Sequence, residues 1–329
     1  MADTVNLVGE IGKSNIPKPL LKWVGGKGQI IDKVLGRFPH TINGYHDVFM
    51  GGGSVLMGLL WLQREGKITI NGSIHAYDLN PSLIGFYQNV KHKPGELFKA
   101  VEEIAKVYVS LGEDGTKNHS PATLEEGQGS RESYYYWIRS QFNKETDKTL
   151  VVSSAYFLFL NKTGFRGMYR EGPNGFNIPY GHPKNPVILD EDALEQTSAN
   201  IQDVIFTCCT FQDSFETIRE GGGQNHMVYL DPPYAPEDGN SFVGYTKSGF
   251  PLEQHQELFV QTMDISGTHH VMMSNADVPL VREHLTESED AYTYEVVSCR
   301  RAINSKNPGA RTNEVILTSY TTITKESAP

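Results

Sequence analysis

Four consecutive residues, Asp231-Pro232-Pro233-Tyr234, bring two kinds of acceptor and an aromatic face to one point of the chain. They follow Met227-Val228-Tyr229-Leu230, a short apolar run of the kind that forms a buried strand. Neither proline carries a backbone N–H, and each fixes its φ at about −65°. The carbonyls of Asp231 and Pro232 are therefore expected to face a group outside the sheet. The carboxylate adds a further acceptor, and Tyr234 adds a plane. Acceptors beside an aromatic plane suit a flat ring with an exocyclic amine, either adenine or cytosine. Taken alone, the tetrapeptide is equally a proline turn closed by a tyrosine, so the rest of the chain has to decide.

A second chemical segment is Asp47-Val-Phe-Met-Gly-Gly-Gly-Ser54. Glycines at Gly51, Gly52 and Gly53 let backbone approach a ligand closely. Leu56 stands where a dinucleotide fingerprint needs its third glycine, and no lysine follows as in a phosphate-binding loop. Gly25-Gly26-Lys27 does carry a lysine, but Leu21 stands where a P-loop needs its first glycine. Asp78 ends the next strand-like run, near the spacing of about 20 residues at which an acid accepts from ribose hydroxyls; the alternative for Asp78-Leu-Asn80 is a helix cap. Asp47 is either a second polar contact or a residue that orients the loop. A ribose and an adenine without a pyrophosphate describe S-adenosyl-L-methionine.

These segments need a sheet to hold them. Tyr45–Met50 and Ile74–Tyr77 read as strands, Val55–Trp61 as a helix, and Pro81 as the first residue of another. Strand, glycine turn, helix, strand and acid form the start of an α/β nucleotide-binding sheet. Residues 112–132 are polar, glycine-bearing and aperiodic and read as a long surface loop. Helices are expected at Tyr134–Arg139 and Ser153–Leu160, and 164–186 is rich in Gly, Pro and Asn. Alternation resumes near residue 200 with Val204–Phe211, Leu252–Met263, His270–Ser274 and a closing strand pair, Tyr294–Ser298 and Glu314–Tyr320. The expected organisation is an arm at 1–17, one α/β catalytic domain in two segments, 18–90 and 199–329, and an inserted module at 91–198.

Charged residues make up 21% and hydrophobic residues 38% of the 329, which places the chain among globular proteins. No apolar run reaches the length of about 18 residues that a membrane span needs, and no leader pattern precedes residue 18. The odd cysteine set, Cys208, Cys209 and Cys299, suits a reducing cytoplasm; Cys208 and Cys209 are expected in the core. Without a C-x-x-C or H-x-x-x-H pair, no metal is expected. The net charge of −10 argues mildly against nucleic acid, although Arg166–Arg170 and Arg300–Arg311 are locally basic.

Taken in order, Leu21-Lys-Trp-Val-Gly-Gly-Lys27, Asp47–Ser54, Asp78-Leu-Asn80, Asn161-Lys-Thr-Gly-Phe-Arg-Gly-Met-Tyr-Arg170, Phe176-Asn-Ile-Pro-Tyr-Gly181 and Val228–Pro236 resemble the Dam-type, alpha-group DNA adenine-N6 methyltransferases over roughly residues 18–322. The resemblance implies a Rossmann-like S-adenosylmethionine-dependent methyltransferase sheet with an inserted, mainly helical DNA-recognition module. It implies transfer of a methyl group to the N6 amine of a flipped-out adenine in a short palindrome of double-stranded DNA, by a monomer or weak dimer in a bacterial, phage or viral cytoplasm. Asp231, Pro232 and Tyr234 would be catalytic. Trp23, Lys27, Phe49, Gly51–Gly53, Asp78, Phe211 and Asp231 would border the cofactor. Lys22, Phe165, Arg166, Met168, Arg170 and His182 would meet DNA, with Arg301 and Arg311 in the basic terminal loop. Arg166 stands where GATC enzymes carry Asn, and His182-Pro183 replaces an Arg-aromatic pair, so CATG stands beside GATC as the expected site. The DPPY form, rather than SPPY, leans to adenine over a cytosine amine.

Overall fold

The computed structural model describes residues 16–112, 115–236, 249–286, 292–300 and 311–321. The arm expected at 1–17 lies outside these apart from its last two residues, and of those Ile16 is buried in the main core instead of loose.

The chain enters through α1 (Ile31–Leu35), a short β1 (Thr41–Ile42) and β2 (Tyr45–Asp47). The glycine turn follows, then α2 (Ser54–Arg64), β3 (Thr69–Ile70), β4 (Ile74–Asp78) and α3 (Pro81–His92). Asn80 caps α3 by accepting from the N–H groups of Ser82 and Leu83, with Pro81 in the first turn where its missing N–H costs nothing. Next come α4 (Pro94–Ser110), α5 (Leu124–Gly127), α6 (Arg131–Lys144) and α7 (Val151–Thr163), a two-stranded ribbon of β5 (Glu171–Gly172) and β6 (Gly175–Phe176), and α8 (Glu191–Asn200). The sheet is completed by β7 (Val204–Cys208), α9 (Phe211–Glu220), β8 (Met227–Leu230), α10 (Leu252–Ser266), β9 (His270–Ala276), α11 (Pro279–Leu285), β10 (Thr293–Arg300) and β11 (Arg311–Thr318).

Seven strands form one sheet in the order β10-β11-β9-β8-β2-β4-β7. The pairs from β9 through β7 are parallel, and β11 runs against both its neighbours. Chain order runs outward from β2 to β4 and β7, then returns to β8 on the other side of β2. Strand order therefore reverses between β2 and β8, which is where open α/β sheets bind ligands beyond the carboxyl ends of their strands. Strand alternation divides the core. Met227 and Tyr229 point to the cluster shared with α1–α3 and the inserted helices, while Val228 and Leu230 point to the cluster under α9, α10 and α11.

Two expectations are corrected. Residues 115–130 form a docked segment, not a plain surface loop. Thr123 caps α5, Ser130 caps α6, and Ser130 Oγ donates to the Thr116 carbonyl. The polar side chains that made the segment look like a loop serve as its caps and internal acceptors. Cys208 is exposed and Cys209 half-buried: they sit at the carboxyl end of β7, an edge strand, past the point where Val204 and Phe206 are covered.

Candidate active site

Asp231 leaves the end of β8 with its carboxylate 2.6 Å from the Nζ of Lys27. Lys27 is 3% exposed. Its backbone N–H donates to Ser54 Oγ and its ammonium also donates to the Gly25 carbonyl at 2.7 Å. The same ammonium stands 5.0 Å from the centre of the Tyr234 ring. Burial pushes the Asp231 carboxyl up to about 6, against the pull of Lys27, with the charge of Glu314 adding to the rise. Tyr234 donates its hydroxyl to Glu314 Oε2 at 2.8 Å, and the Ala235 N–H donates to Asn275 Oδ1 at 3.1 Å. Strands β9 and β11 thus hold the segment that follows β8.

Across the switch point, the glycine turn packs against Trp23. A Cβ on Gly52 would lie 2.7 Å from the Cβ of Trp23, and one on Gly51 would lie 3.0 Å from its ring. Gly51 and Gly53 hold φ of 51° and 76°, a region that favours glycine. The other side of Trp23 stacks on Tyr169, with ring centres 5.9 Å apart. Asp78 ties the turn to the next strand: its Oδ2 accepts from Gly51 N–H at 3.0 Å and its Oδ1 from Asn80 N–H at 2.9 Å. The Leu79 N–H also approaches the carboxylate, whose remaining lone-pair capacity is open to a ligand. Asp47 is 1% exposed and is not among the residues that line the pocket. It lies beneath the turn, taking a hydrogen bond from Tyr45 at 3.3 Å, and burial together with nearby Asp231 pushes its carboxyl far up. It is a buried support for the loop, outside the cavity wall.

Between these walls is a cavity of about 590 Å³. Trp23, Lys27, Phe49, Gly51, Gly52, Asp78, Phe211, Asp231, Pro232 and Tyr234 all line it. Gly53 stands behind it as the left-handed cap of α2, against Tyr87. Phe49, Phe211 and Phe250 pack with ring centres 5.8–6.2 Å apart and form an aromatic wall. Sequence reasoning missed Phe250, which begins a segment with no motif, and it missed Tyr169 and Glu171. Those two lie in the expected DNA-facing stretch, but alternation turns them into the cavity, where the Tyr169 hydroxyl donates to Glu171. That alternation was the available signal.

Five of the expected DNA-facing residues, Phe165, Arg166, Met168, Arg170 and His182, lie between α7 and α8, and Lys22 is tied to them. Buried Asn161 binds the Lys22 N–H and carbonyl and the Gly167 carbonyl, so the N-terminal segment and the 165–168 turn are held together. Phe165 and Arg166 are exposed, with the guanidinium 5.3 Å from the Phe165 ring, and Met168 is half-buried. Arg170 is exposed and donates to Asn177 at 2.7 Å. Arg166 and His182 hold φ of 56° and 49°, left-handed values that are uncommon outside glycine. Their turns are joined by Phe165 N–H to the Pro179 carbonyl and Gly181 N–H to the Thr163 carbonyl. Arg311 is exposed at the start of β11, folded back onto Ser298. Arg301 lies outside the described residues. Among the described residues no helix is long and apolar enough to cross a membrane.

Known proteins resemble this chain over most of its length. The chain is 31% identical over 299 residues to the type II methyltransferase M.MjaIII of Methanocaldococcus jannaschii, covering 88% of this chain and 93% of that one. It is 28% identical over 301 residues to the DNA adenine methylase of Haemophilus influenzae, covering 89% and 90%. It is 29% identical over 300 residues to that of Escherichia coli K12, covering 89% and 91%. A family model described as D12 class N6 adenine-specific DNA methyltransferase matches residues 23–302. With that match spanning most of the chain, it belongs to the D12 class N6 adenine-specific DNA methyltransferases.

Proposed function

We propose that the switch-point cavity binds S-adenosyl-L-methionine and that the insert presents double-stranded DNA to it, so that one adenine, turned out of the helix, meets Asp231, Pro232 and Tyr234. One observation carries this reading: Asp231, anchored by Lys27, opens onto the same cavity as the glycine turn and Asp78. The cavity lies within the range of about 300–1,000 Å³ that holds small ligands. Phe211, with Phe250 beside it, suits an adenine ring, and Asp78 suits ribose hydroxyls. Phe49, Gly51, Gly52 and Trp23 are left to the methionine end. Bound there, S-adenosyl-L-methionine supplies an electrophilic methyl group.

The protein's own part is to prepare the amine. Its lone pair is delocalised into the ring, which makes it a weak nucleophile. Acceptance of its two N–H bonds by the Asp231 carboxylate and the Pro232 carbonyl favours a tetrahedral nitrogen and stabilises the positive charge that develops there. With a pKa of about 6, Asp231 is ionised at neutral pH and can take the proton that the amine sheds. Unstacking a base costs a few kcal/mol, and stacking on Tyr234 returns about 1–3 kcal/mol. Holding the amine in line supplies much of the remaining acceleration.

Residues 91–198 act as the recognition insert of a catalytic domain made from 18–90 and 199–329. Arg166, Arg170 and His182 read the bases, with arginine suited to bidentate contact with guanine. The left-handed conformations at Arg166 and His182 support a working role, because such strain collects at functional sites. Lys22, Phe165 and Met168 flank them, while Arg301 and Arg311 follow the phosphates. The site is GATC or a related tetranucleotide such as CATG, and a monomer or weak dimer suffices.

Incubation with unmethylated genomic DNA and S-adenosyl-L-methionine, followed by single-molecule sequencing for N6-methyladenine, tests the whole reading. One short palindrome methylated throughout is the expected result; no methyladenine above background refutes it. Asp231→Ala should keep DNA binding in a mobility-shift assay and lose methyl transfer, and full activity in that variant refutes the role of Asp231.

A further inference from the structure

Strand β11 is the one strand of the parallel run's extension that opposes its neighbours, so its first residues, not its last, reach the carboxyl edge where Asp231 lies. Glu314 is one of them, paired in register with Ala276 of β9 and Val297 of β10. From there it accepts the Tyr234 hydroxyl at 2.8 Å. A tyrosine that only stacks on a base needs no fixed hydroxyl, yet this one is tied to a carboxylate delivered from the far end of the sheet.

We propose that Glu314 is a positioning residue for methyl transfer: it sets the plane of the Tyr234 ring through the hydroxyl and places a second negative charge beside Asp231. The inference rests on the flipped-adenine reading above. The ring has two torsions to fix. Lys27 above its face, 5.0 Å from the centre, and Glu314 at its tip restrain it from two directions. The groups facing Asp231 are Lys27 from the N-terminal segment, Glu314 from β11, and Asp47, Tyr229 and Tyr234 from β2, β8 and the following turn. Of these, Glu314 opposes Lys27, keeping Asp231 a stronger acceptor than an ion pair alone would leave it. The buried thiol of Cys299 is a further neighbour of Glu314, and it stays protonated because burial, then Glu314 itself, push it up to about 11.

The test compares Glu314→Gln, Glu314→Ala, Tyr234→Phe and the double variant E314A/Y234F, using a duplex that carries 2-aminopurine at the target adenine. Fluorescence reads the flipped base, and kcat, KM and the pH profile of transfer are read on the unlabelled duplex. Loss of one ordering hydrogen bond should cut kcat by about five- to tenfold in Glu314→Ala and in Tyr234→Phe. KM for DNA should change little, and the double variant should be no worse than either single one. Glu314→Gln keeps an acceptor oxygen and should recover much of the loss. Its acid limb should move to lower pH, because a like charge beside Asp231 is gone. If Glu314→Ala does not fold, Tyr234→Phe and Glu314→Gln carry the test alone. Wild-type brightening and rate in Tyr234→Phe, additive losses in the double variant, or an unmoved acid limb in Glu314→Gln overturn the proposal while the flipped-adenine reading stands. A wild-type enzyme that transfers methyl groups without brightening the probe overturns that reading, and this proposal with it.

Discussion

The Lys27–Asp231 pair gives the sharpest quantitative expectation. The two groups are 2.6 Å apart and Lys27 is 3% exposed, so solvent screens the contact little. Asp231 stands at about 6 even with the ammonium in place. A cation this close lowers a carboxyl pKa by about 1–3, so Lys27→Met should carry Asp231 to between about 7 and about 9. The direction matters: a carboxyl with a raised pKa is an ionised acceptor above that pKa and loses the role as pH falls through it. At about pH 7.5 the ionised fraction falls from nearly all to about a quarter for a pKa of about 8, and to a few per cent for about 9. The single-turnover rate at that pH should therefore drop by about 1.3-fold for a pKa of about 7, about fourfold for about 8 and about thirtyfold for about 9, and recover as pH rises. Rapid-quench measurement of methyl transfer at saturating DNA and S-adenosyl-L-methionine, from about pH 6 to about pH 9.5, separates ionisation from binding. An acid limb that stays at the wild-type pH in Lys27→Met refutes the argument, and a loss that no pH restores shows that Lys27 acts otherwise.

Other perturbations follow from the same geometry. Gly52→Ala places a Cβ 2.7 Å from the Cβ of Trp23; it should cost about 1–3 kcal/mol of stability in urea unfolding and weaken cofactor binding by calorimetry, and an unchanged affinity would detach Trp23 from the site. Arg166→Gly removes a side chain from a backbone with φ of 56°; its Tm should hold or rise, while discrimination between the true site and one-base variants should fall by about 1–3 kcal/mol. His46 is 3% exposed, lies against the His75 ring and shares a ring-nitrogen hydrogen bond of 3.1 Å with His226, and burial, then its histidine neighbours, hold it down at about 3. Above its ordinary pKa of about 6.5 both folded and unfolded forms are neutral; as pH falls below that, only the unfolded chain gains the proton, so stability should drop by about 2 kcal/mol by about pH 5. His46→Gln should flatten that slope in urea titrations at the two pH values.

Much of this is legible in the sequence, for identifiable reasons. Met227–Leu230 is apolar on both faces because β8 is central, and Pro81 marks the start of α3 because proline fits a first turn. The motifs end strands that share one edge, so finding them located the cavity. What stayed hidden depended on chain-distant pairing. Lys27 was legible as a site residue, but its ion pair with Asp231 was not. Glu314 lay in an ordinary strand pattern, and its meaning came from β11 running backwards. Tyr169 and Glu171 were masked by Arg170, the basic residue between them. The 115–130 segment misled because capping residues and loop residues are the same types, told apart only by what their hydroxyls reach.

The position of β2 bears on how the chain is made. It pairs with β4 on one side, which follows soon after, and with β8 on the other, which is synthesised only after residues 91–198. While a ribosome makes residues 91–198, the helices α3, α4, α6 and α7 can pack locally, but β2 presents an open strand edge at what will be the centre of the sheet. Unpaired edges of this kind invite association between nascent chains. Fragments that stop before Met227 should accordingly be found with chaperones or in aggregates, and the interval between the two strands is the part of biosynthesis where a slow codon or a heat pulse should do most harm.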